Sequence, residues 1–206
     1  MRIASLVLLA VWPGAAAAQG FENCSKLEAR VAGAALDGAV TLALLAADSV
    51  ADTPAYVRWF GEWDEDRAAT VRRTLRRTAT VLQDPSLTFA CLAPARIECK
   101  GDKRDDIYGF VLYDRPRIVH LCPSFFRMPG IADAKRGLGD QTDGTREGTI
   151  IHEVTHFPSV AGTVDECYSR PVCEGMALSD PDLAVINADS FQYFAEDVTI
   201  EALHPR

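Results

Sequence analysis

The stretch HEVTH, residues 152–156, combines residue types that can bind a metal ion and activate a water molecule. His152 and His156 are four residues apart, and side chains at that spacing lie on one face of an α-helix. Two imidazoles so placed can bind one zinc ion, and Glu153 can take a proton from the water that the zinc activates. A catalytic zinc ion takes three protein ligands and one open position, so the motif predicts a third ligand elsewhere.

Several side chains are candidates for this third ligand. Asp165 lies nine residues after His156, and between them Pro158 ends the helix while Gly162 permits a tight turn. An acidic surface turn that binds no metal is the alternative interpretation of this segment. The remaining histidines and the carboxylates nearest to the motif leave the choice open between His120, His204, Asp165, Glu166 and Glu174.

Helical patterns that could position the motif occur early in the chain and around the motif itself. SKLE, which begins at Ser25, is a capping box, and the apolar spacing extends this helix to about Asp48. A second helix is predicted over residues 64–84. The helix that carries the motif is predicted from Thr145 to Pro158, because proline removes a backbone donor and disfavours helix just before it.

Three segments in the middle of the chain have a composition that is typical of β-strands. LTFACL, IYGFVLY and RIVHLC are rich in β-branched and aromatic residues, and YDRPR between the last two predicts a hairpin turn. Residues 130–145 read as a loop, and residues 180–203 as a helix, a break near Asn187 and a last helix capped by Asp189 or Ser190. This order predicts an α+β fold, mostly helical with a small antiparallel sheet.

The N-terminus has the pattern of a secretory signal peptide. Arg2 precedes the apolar run of residues 3–12, and small residues up to Ala18 offer a cleavage site. We therefore expect residues 1–18 to be removed and residues 19–206 to form one domain that is exported to the periplasm or the medium. No later segment is expected to be apolar enough to span a membrane, and no long pro-segment is expected before Cys24.

The chain is acidic, with a formal net charge of -8. This charge disfavours nucleic acid and anionic membranes as partners, and it suits cationic substrates, although solubility alone can explain it. We expect a monomer that acts on proteins or peptides. One basic helix face is predicted to be solvated, with a binding patch as the alternative; it contains Arg72, Arg73, Arg76 and Arg77.

An even number of cysteines in an exported chain predicts disulfides. Six cysteines allow 15 pairings, and the absence of a C-x-x-C pair disfavours a cysteine metal site. Cys167 and Cys173 are close enough in sequence to form a small loop, although Cys167 could also pair with a distant residue. The six are Cys24, Cys91, Cys99, Cys122, Cys167 and Cys173.

HEVTH followed by GTVDECY resembles the aspzincin metalloendopeptidases, the deuterolysin and peptidyl-Lys metallopeptidase family. Their pattern is H-E-x-x-H followed by G-T-x-D-x-x-Y-G. YVRWFGEWDEDRAATV, IVHLCPSFF and NADSFQYFAED are similar to three further segments of that family. The resemblance covers most of the predicted mature chain and implies a zincin-like fold stapled by disulfides.

The resemblance implies a role for each residue of the paired motif. His152, His156 and Asp165 match the ligands of one zinc ion, and Glu153 matches the general base. Tyr168 matches a tyrosine that stabilises the oxyanion, although a tyrosine here could also serve only in packing. The disulfide pairs that the resemblance implies are Cys24–Cys91 and Cys99–Cys122.

The chain departs from the family pattern at two positions. Ser169 replaces the glycine after the tyrosine, so it is strained if the turn needs a positive φ. Asp189 matches an acidic residue that attracts a lysine just after the scissile bond; the alternative is a helix N-cap, and it could serve as both. Gln192 replaces the companion glutamate and removes one negative charge.

Together these features predict an exported zinc endopeptidase that favours Lys or Arg just after the scissile bond. The alternatives are a non-catalytic binding protein with a structural zinc ion and a toxin with a narrow protein target.

Overall fold

The protein is described by a computed structural model that covers residues 20–100, 107–139 and 141–202. The predicted signal peptide, residues 1–18, and the ligand candidate His204 lie outside the described residues.

Helices dominate the described part of the chain. Helix α1 begins as predicted with a capping box: the Ser25 hydroxyl accepts from Glu28 N–H at 3.2 Å, and the Glu28 carboxylate accepts from Ser25 N–H at 2.7 Å. The helices are α1 (Lys26–Asp48), α2 (Pro54–Phe60), α3 (Glu65–Leu82), α4 (Ile131–Ala134), α5 (Arg146–Thr155), α6 (Arg170–Ser179), α7 (Pro181–Ala184) and α8 (Ala188–Glu201).

Four short strands form one sheet in the order β1-β2-β4-β3. Strands β3 and β4 pair antiparallel, as the predicted hairpin requires, whereas β1–β2 and β2–β4 pair parallel. The sheet is therefore mixed, which corrects the expectation of an antiparallel sheet. The parallel pairs arise because long connections, three helices in the first case, return each chain segment in the same direction. The strands are β1 (Gly20–Glu22), β2 (Thr88–Cys91), β3 (Gly109–Val111) and β4 (Ile118–Leu121).

Several short elements were not predicted, namely β1, α2, α4 and α6. Each has ten residues or fewer, which leaves little periodicity to detect. The last helix begins at Ala188 with Asn187 as its N-cap, so the predicted cap at Asp189 or Ser190 is wrong. The α5 helix ends at Thr155, slightly before the predicted stop at Pro158.

Helix α1 forms the centre of the core. Its buried stripe, which includes Ala32, Leu36 and Ala43, packs against α3, α5 and α8. Within the described ranges α1 is also long and apolar enough to cross a membrane, so the expectation that no such segment follows the signal peptide is wrong. Its packing is that of the core helix of a globular domain, which meets the same criteria of length and composition.

Arginines on this face of α3 form hydrogen bonds and an ion pair with other parts of the chain. Arg72 donates to Val50 O at 2.9 Å, and Arg77 donates to Val160 O at 3.2 Å. Arg76 pairs with Asp48 at 2.8 Å. These contacts favour a structural role for this face over a binding patch.

Three disulfides close the fold, with the pairing that the resemblance and the local spacing suggested. They join Cys24 to Cys91, Cys99 to Cys122 and Cys167 to Cys173. The last of these joins cysteines six positions apart, beside the predicted metal ligand.

Candidate metal centre and active site

Helix α5 presents the two predicted histidine ligands on one face. Its first turn is capped by Thr145, whose hydroxyl accepts a hydrogen bond from Gly148 N–H at 3.1 Å. The Nε2 atoms of His152 and His156 lie 3.2 Å apart. The two imidazoles can therefore bind the same ion.

Asp165 reaches these histidines because the chain reverses after α5. Gly162 has a φ of 63°, a conformation that glycine adopts without a steric penalty. Val164 then forms a short parallel bridge with the segment that precedes α8. This path places Asp165 Oδ1 3.2 Å from His152 Nε2 and 3.3 Å from His156 Nε2.

The other candidates for the third ligand lie away from this point. Glu166 is exposed, Glu174 lies on α6, and the ring of His120 stacks on Phe110 at 4.6 Å. In the ranges that the structure describes, the side chains close enough to share a metal ion are His152, His156 and Asp165.

The donor set fits a zinc ion. Two imidazole nitrogens and a carboxylate oxygen are ligand types that zinc takes, and here they lie within 4.8 Å of one another. Burial raises the pKa of Asp165, but hydrogen bonds with His152 and His156 outweigh it and hold the pKa well below its usual range. Asp165 can therefore serve as an anionic ligand.

Each histidine is oriented by a hydrogen bond on its other nitrogen. His152 Nδ1 lies 2.7 Å from Asp189 Oδ1, and His156 Nδ1 lies 2.8 Å from the carbonyl oxygen of Thr163. Because a carboxylate and a carbonyl only accept, each imidazole carries a proton on Nδ1. A metal ion would bind the Nε2 atoms after displacing the proton that each otherwise donates to Asp165.

Glu153 lies beside the histidines and is almost fully buried, with 5% of its surface exposed. Burial raises the pKa of this carboxyl group, and the two histidines only partly oppose the shift. A β-carbon at Gly109 would lie 3.4 Å from Glu153 Oε1, so strand β3 passes close to this side chain. A carboxylate with a raised pKa is suited to take and return a proton near neutral pH.

Tyr168 lies over the centre and is accessible. Its ring is 60% exposed and stacks on His152 with 6.5 Å between centroids. Partial burial of the phenol, together with the charge of Asp165, raises its pKa. The hydroxyl therefore stays protonated and can donate a hydrogen bond to a developing oxyanion.

Asp189 lies behind His152, and both of its oxygens have partners. Oδ1 contacts His152 Nδ1, and Oδ2 accepts from the N–H of Ser169 at 3.2 Å. Ser169 has a φ of 67°, which confirms that this position needs the conformation that favours glycine. The strained backbone thus helps to hold the carboxylate that orients His152.

Two further groups support the site and were not predicted. Asn187 is fully buried, and its Oδ1 accepts from the N–H groups of Glu166 and Cys167 at 2.9 and 3.1 Å. It therefore fixes the loop that carries Asp165. The NAD tripeptide pointed to this segment, but only its aspartate was given a role.

Arg170 is the second group. Its guanidinium stacks on Tyr193 at 4.6 Å and on Trp59 at 5.5 Å, and it pairs with Glu196 and Asp197 at 2.6 and 2.7 Å. Burial raises the pKa of the Tyr193 phenol, and the negative charge of Asp189, the carboxylate that orients His152, adds to the shift. No spacing rule could have indicated this buried network, because its members come from α2, α6 and α8.

A cavity of about 1400 Å³ opens beside the centre. Strand β3 forms one wall, and the start of α8, with Asp189 and Gln192, forms another. Gln192 does not reach the centre but donates from Nε2 to the carbonyl oxygen of Asp143 at 3.0 Å. The volume is sufficient for several side chains of a peptide.

Comparison with solved structures first gives the class of protein. The chain is similar to the zinc peptidase from Grifola frondosa, with a TM-score of 0.69 and 28% sequence identity. The match covers 84% of this chain and 97% of that chain. The fold is thus that of a zincin-like metallopeptidase, as the sequence predicted.

The family follows from the sequence comparison. The aspzincin profile, described as lysine-specific metallo-endopeptidase, matches residues 45–196, and the chain belongs to this family. It is 34% identical over 146 residues to an extracellular protease from Aeromonas hydrophila. It is 32% identical over 150 residues to a peptidyl-Lys metalloendopeptidase from Grifola frondosa.

These two matches cover 71% of this chain but only 36% of each relative. The chain therefore spans about a third of the length of these relatives. A peptidyl-Lys metalloendopeptidase from Pleurotus ostreatus is 32% identical over 147 residues, which are 70% of this chain and 74% of that protein.

Proposed function

We propose that this chain is an exported zinc endopeptidase that hydrolyses peptide bonds in proteins. The observation that carries the proposal is the convergence of three ligand atoms from His152, His156 and Asp165 beside a buried carboxyl group. One zinc ion at this donor set would acidify water and polarise a carbonyl group.

The remaining chemistry belongs to two side chains of the protein. Glu153 takes the proton of the attacking water and later returns it to the leaving amine, which its raised pKa favours. Tyr168 donates its hydroxyl hydrogen to the oxygen that becomes negative in the tetrahedral intermediate. Strand β3 and the start of α8 hold the substrate between them in the cavity.

The proposed preference is for Lys or Arg just after the scissile bond. It is supported by the acidic lining of the cavity and by the names of the peptidyl-Lys relatives. Export to the periplasm or the medium is supported by three disulfides, which persist in oxidising compartments, and by the name of the Aeromonas relative.

The test is the variant Glu153→Gln, which removes the base while preserving its size. We expect casein cleavage to fall by at least about 100-fold, because general base catalysis contributes that much or more. Zinc content, measured by atomic absorption, should stay at one ion per chain. Glu166→Gln is the matched control, since this exposed neighbour of Asp165 has no assigned role.

Substantial proteolysis by the Glu153→Gln variant would contradict the proposed mechanism. Zinc binding by the wild-type chain without cleavage of casein or lysine-containing peptides would instead favour a binding protein or a narrow-target toxin.

A further inference from the structure

One carboxylate of the cavity, that of Asp143, has neither a role in the proposed mechanism nor a charged partner among the described residues. Asp143 lies in the loop before α5 and lines the cavity together with Tyr108, which precedes β3. The acidic side chains of the lining outnumber its one arginine, Arg127; they are Asp133, Asp143, Glu153, Asp165 and Asp189.

The other four acidic groups are already engaged. Glu153 and Asp165 belong to the reaction centre, and Asp189 is buried behind His152. Asp133 pairs with an arginine of its own turn at 2.6 Å. Asp143, by contrast, is exposed to the cavity and forms no ion pair within the described ranges.

Asp143 is held in place from both sides of the cavity. The hydroxyl of Tyr108 donates to Asp143 Oδ2 at 2.8 Å, and Nε2 of Gln192 donates to the Asp143 carbonyl oxygen at 3.0 Å. Gly144 follows with a φ of 88°, and a β-carbon there would lie 2.1 Å from Gln192 Nε2. The turn therefore requires glycine, and the two hydrogen bonds place the Asp143 carboxylate at the cavity wall.

The neutral partners of Asp143 leave its charge uncompensated. A tyrosine hydroxyl orients the carboxylate and a glutamine amide holds its backbone carbonyl, and neither neutralises the charge, which is free to attract a cation that enters the cavity. Both groups are donors, which is also why Gln192 suits this position: a glutamate there would face the carbonyl oxygen as a second acceptor.

We propose that Asp143 is the specificity-determining residue that binds the cationic side chain of a substrate lysine or arginine, with Gln192 as its positioning residue. This inference rests on the proposed function and adds to it the group that selects the side chain. Asp189 contributes indirectly, by orienting the ligand His152.

The test compares Asp143→Asn with the wild-type chain on peptides that differ only in carrying Lys, Arg or Gln after the scissile bond. We expect the ratio of kcat/KM for Lys over Gln to fall about 10- to 100-fold, since a hydrogen bond to a charged group is replaced by a neutral one. Cleavage of the Gln peptide and zinc content should stay within about twofold of wild type. Asp133→Asn, the paired carboxylate on the same cavity, is the control.

A second variant reverses the charge. In Asp143→Lys, kcat/KM for the Lys peptide should fall below kcat/KM for the Gln peptide. Cleavage of a peptide with Glu in that position should improve. Raising the salt concentration should reduce the ratio of kcat/KM for Lys over Gln in the wild-type chain. In the Asp143→Asn variant the same ratio should not change.

The two proposals fail in different ways. A wild-type chain that cleaves none of the peptides would refute the proposed function. An active Asp143→Asn variant that keeps the wild-type ratio of kcat/KM for Lys over Gln would overturn the role of Asp143 alone. So would a variant that loses activity on all the peptides equally.

Discussion

Replacing Ser169 with glycine is expected to stabilise the protein. The backbone here has a φ of 67° and a ψ of 151°, a region that is almost restricted to glycine and costs other residues about 1–3 kcal/mol. Glycine removes this strain but loses about 0.5–1 kcal/mol through its greater freedom in the unfolded chain. The bond from the backbone N–H to Asp189 can be kept, so the net gain in unfolding free energy is about 1 kcal/mol.

Thermal unfolding followed by circular dichroism measures this effect. A gain of about 1 kcal/mol raises Tm by about 2–4 °C in a domain of this size. Ser169→Ala is the matched control: alanine keeps the strain, and Ser169 Oγ has no hydrogen bond to lose within the described residues, so Tm should change by less than about 1 °C.

A second control replaces a serine whose φ is negative. Ser159→Gly, in an exposed turn, should lower stability by about 0.5–1 kcal/mol. If Ser169→Ala raised Tm as much as Ser169→Gly did, or if Ser169→Gly lowered it, the strain argument would be refuted.

Three other predictions concern the metal centre and the buried carboxylates. Asp165→Ala should lose zinc on dialysis, and unchanged zinc content would reject Asp165 as a ligand. Asp189→Asn should weaken zinc binding about 10- to 100-fold in competition with a chelator, because the hydrogen bond that orients His152 changes. Burial raises the pKa of Glu196 to about 7, despite its bonds to donors. A raised carboxyl pKa means that the folded state binds the extra proton, so stability falls as pH rises from about 4.5 to about 7, by about 3 kcal/mol at most. In urea unfolding, the free energy of unfolding of Glu196→Gln should not fall in this way as pH rises. A pH profile identical to that of the wild-type chain would contradict the prediction.

The features that could be predicted from sequence are those that depend on neighbours along the chain. The capping box at Ser25 and the shared face of His152 and His156 follow from helical geometry, which is local. Each of these needs only a few consecutive residues. The strain at Ser169, by contrast, could be anticipated only through the resemblance, because the family has glycine at this position.

Other features depend on residues that are distant in sequence. Whether Asp165 or a neighbouring carboxylate completes the ligand set was left open by spacing alone, and the resemblance was needed to choose. The parallel pairing of β2 with β4 was missed because strand direction is set by the path of the connection.

The sequence by itself determined the donor types, the helix that displays two of them, and the family to which the chain belongs. Only the tertiary structure decided how accessible Asp189 and Asp143 are: the first is buried against His152, and the second faces the open cavity. Both are aspartates in plausible positions, but a carboxylate is available to a substrate only if the fold leaves it exposed and unpaired. That depends on contacts with α5, β3 and α8, which spacing along the chain does not encode.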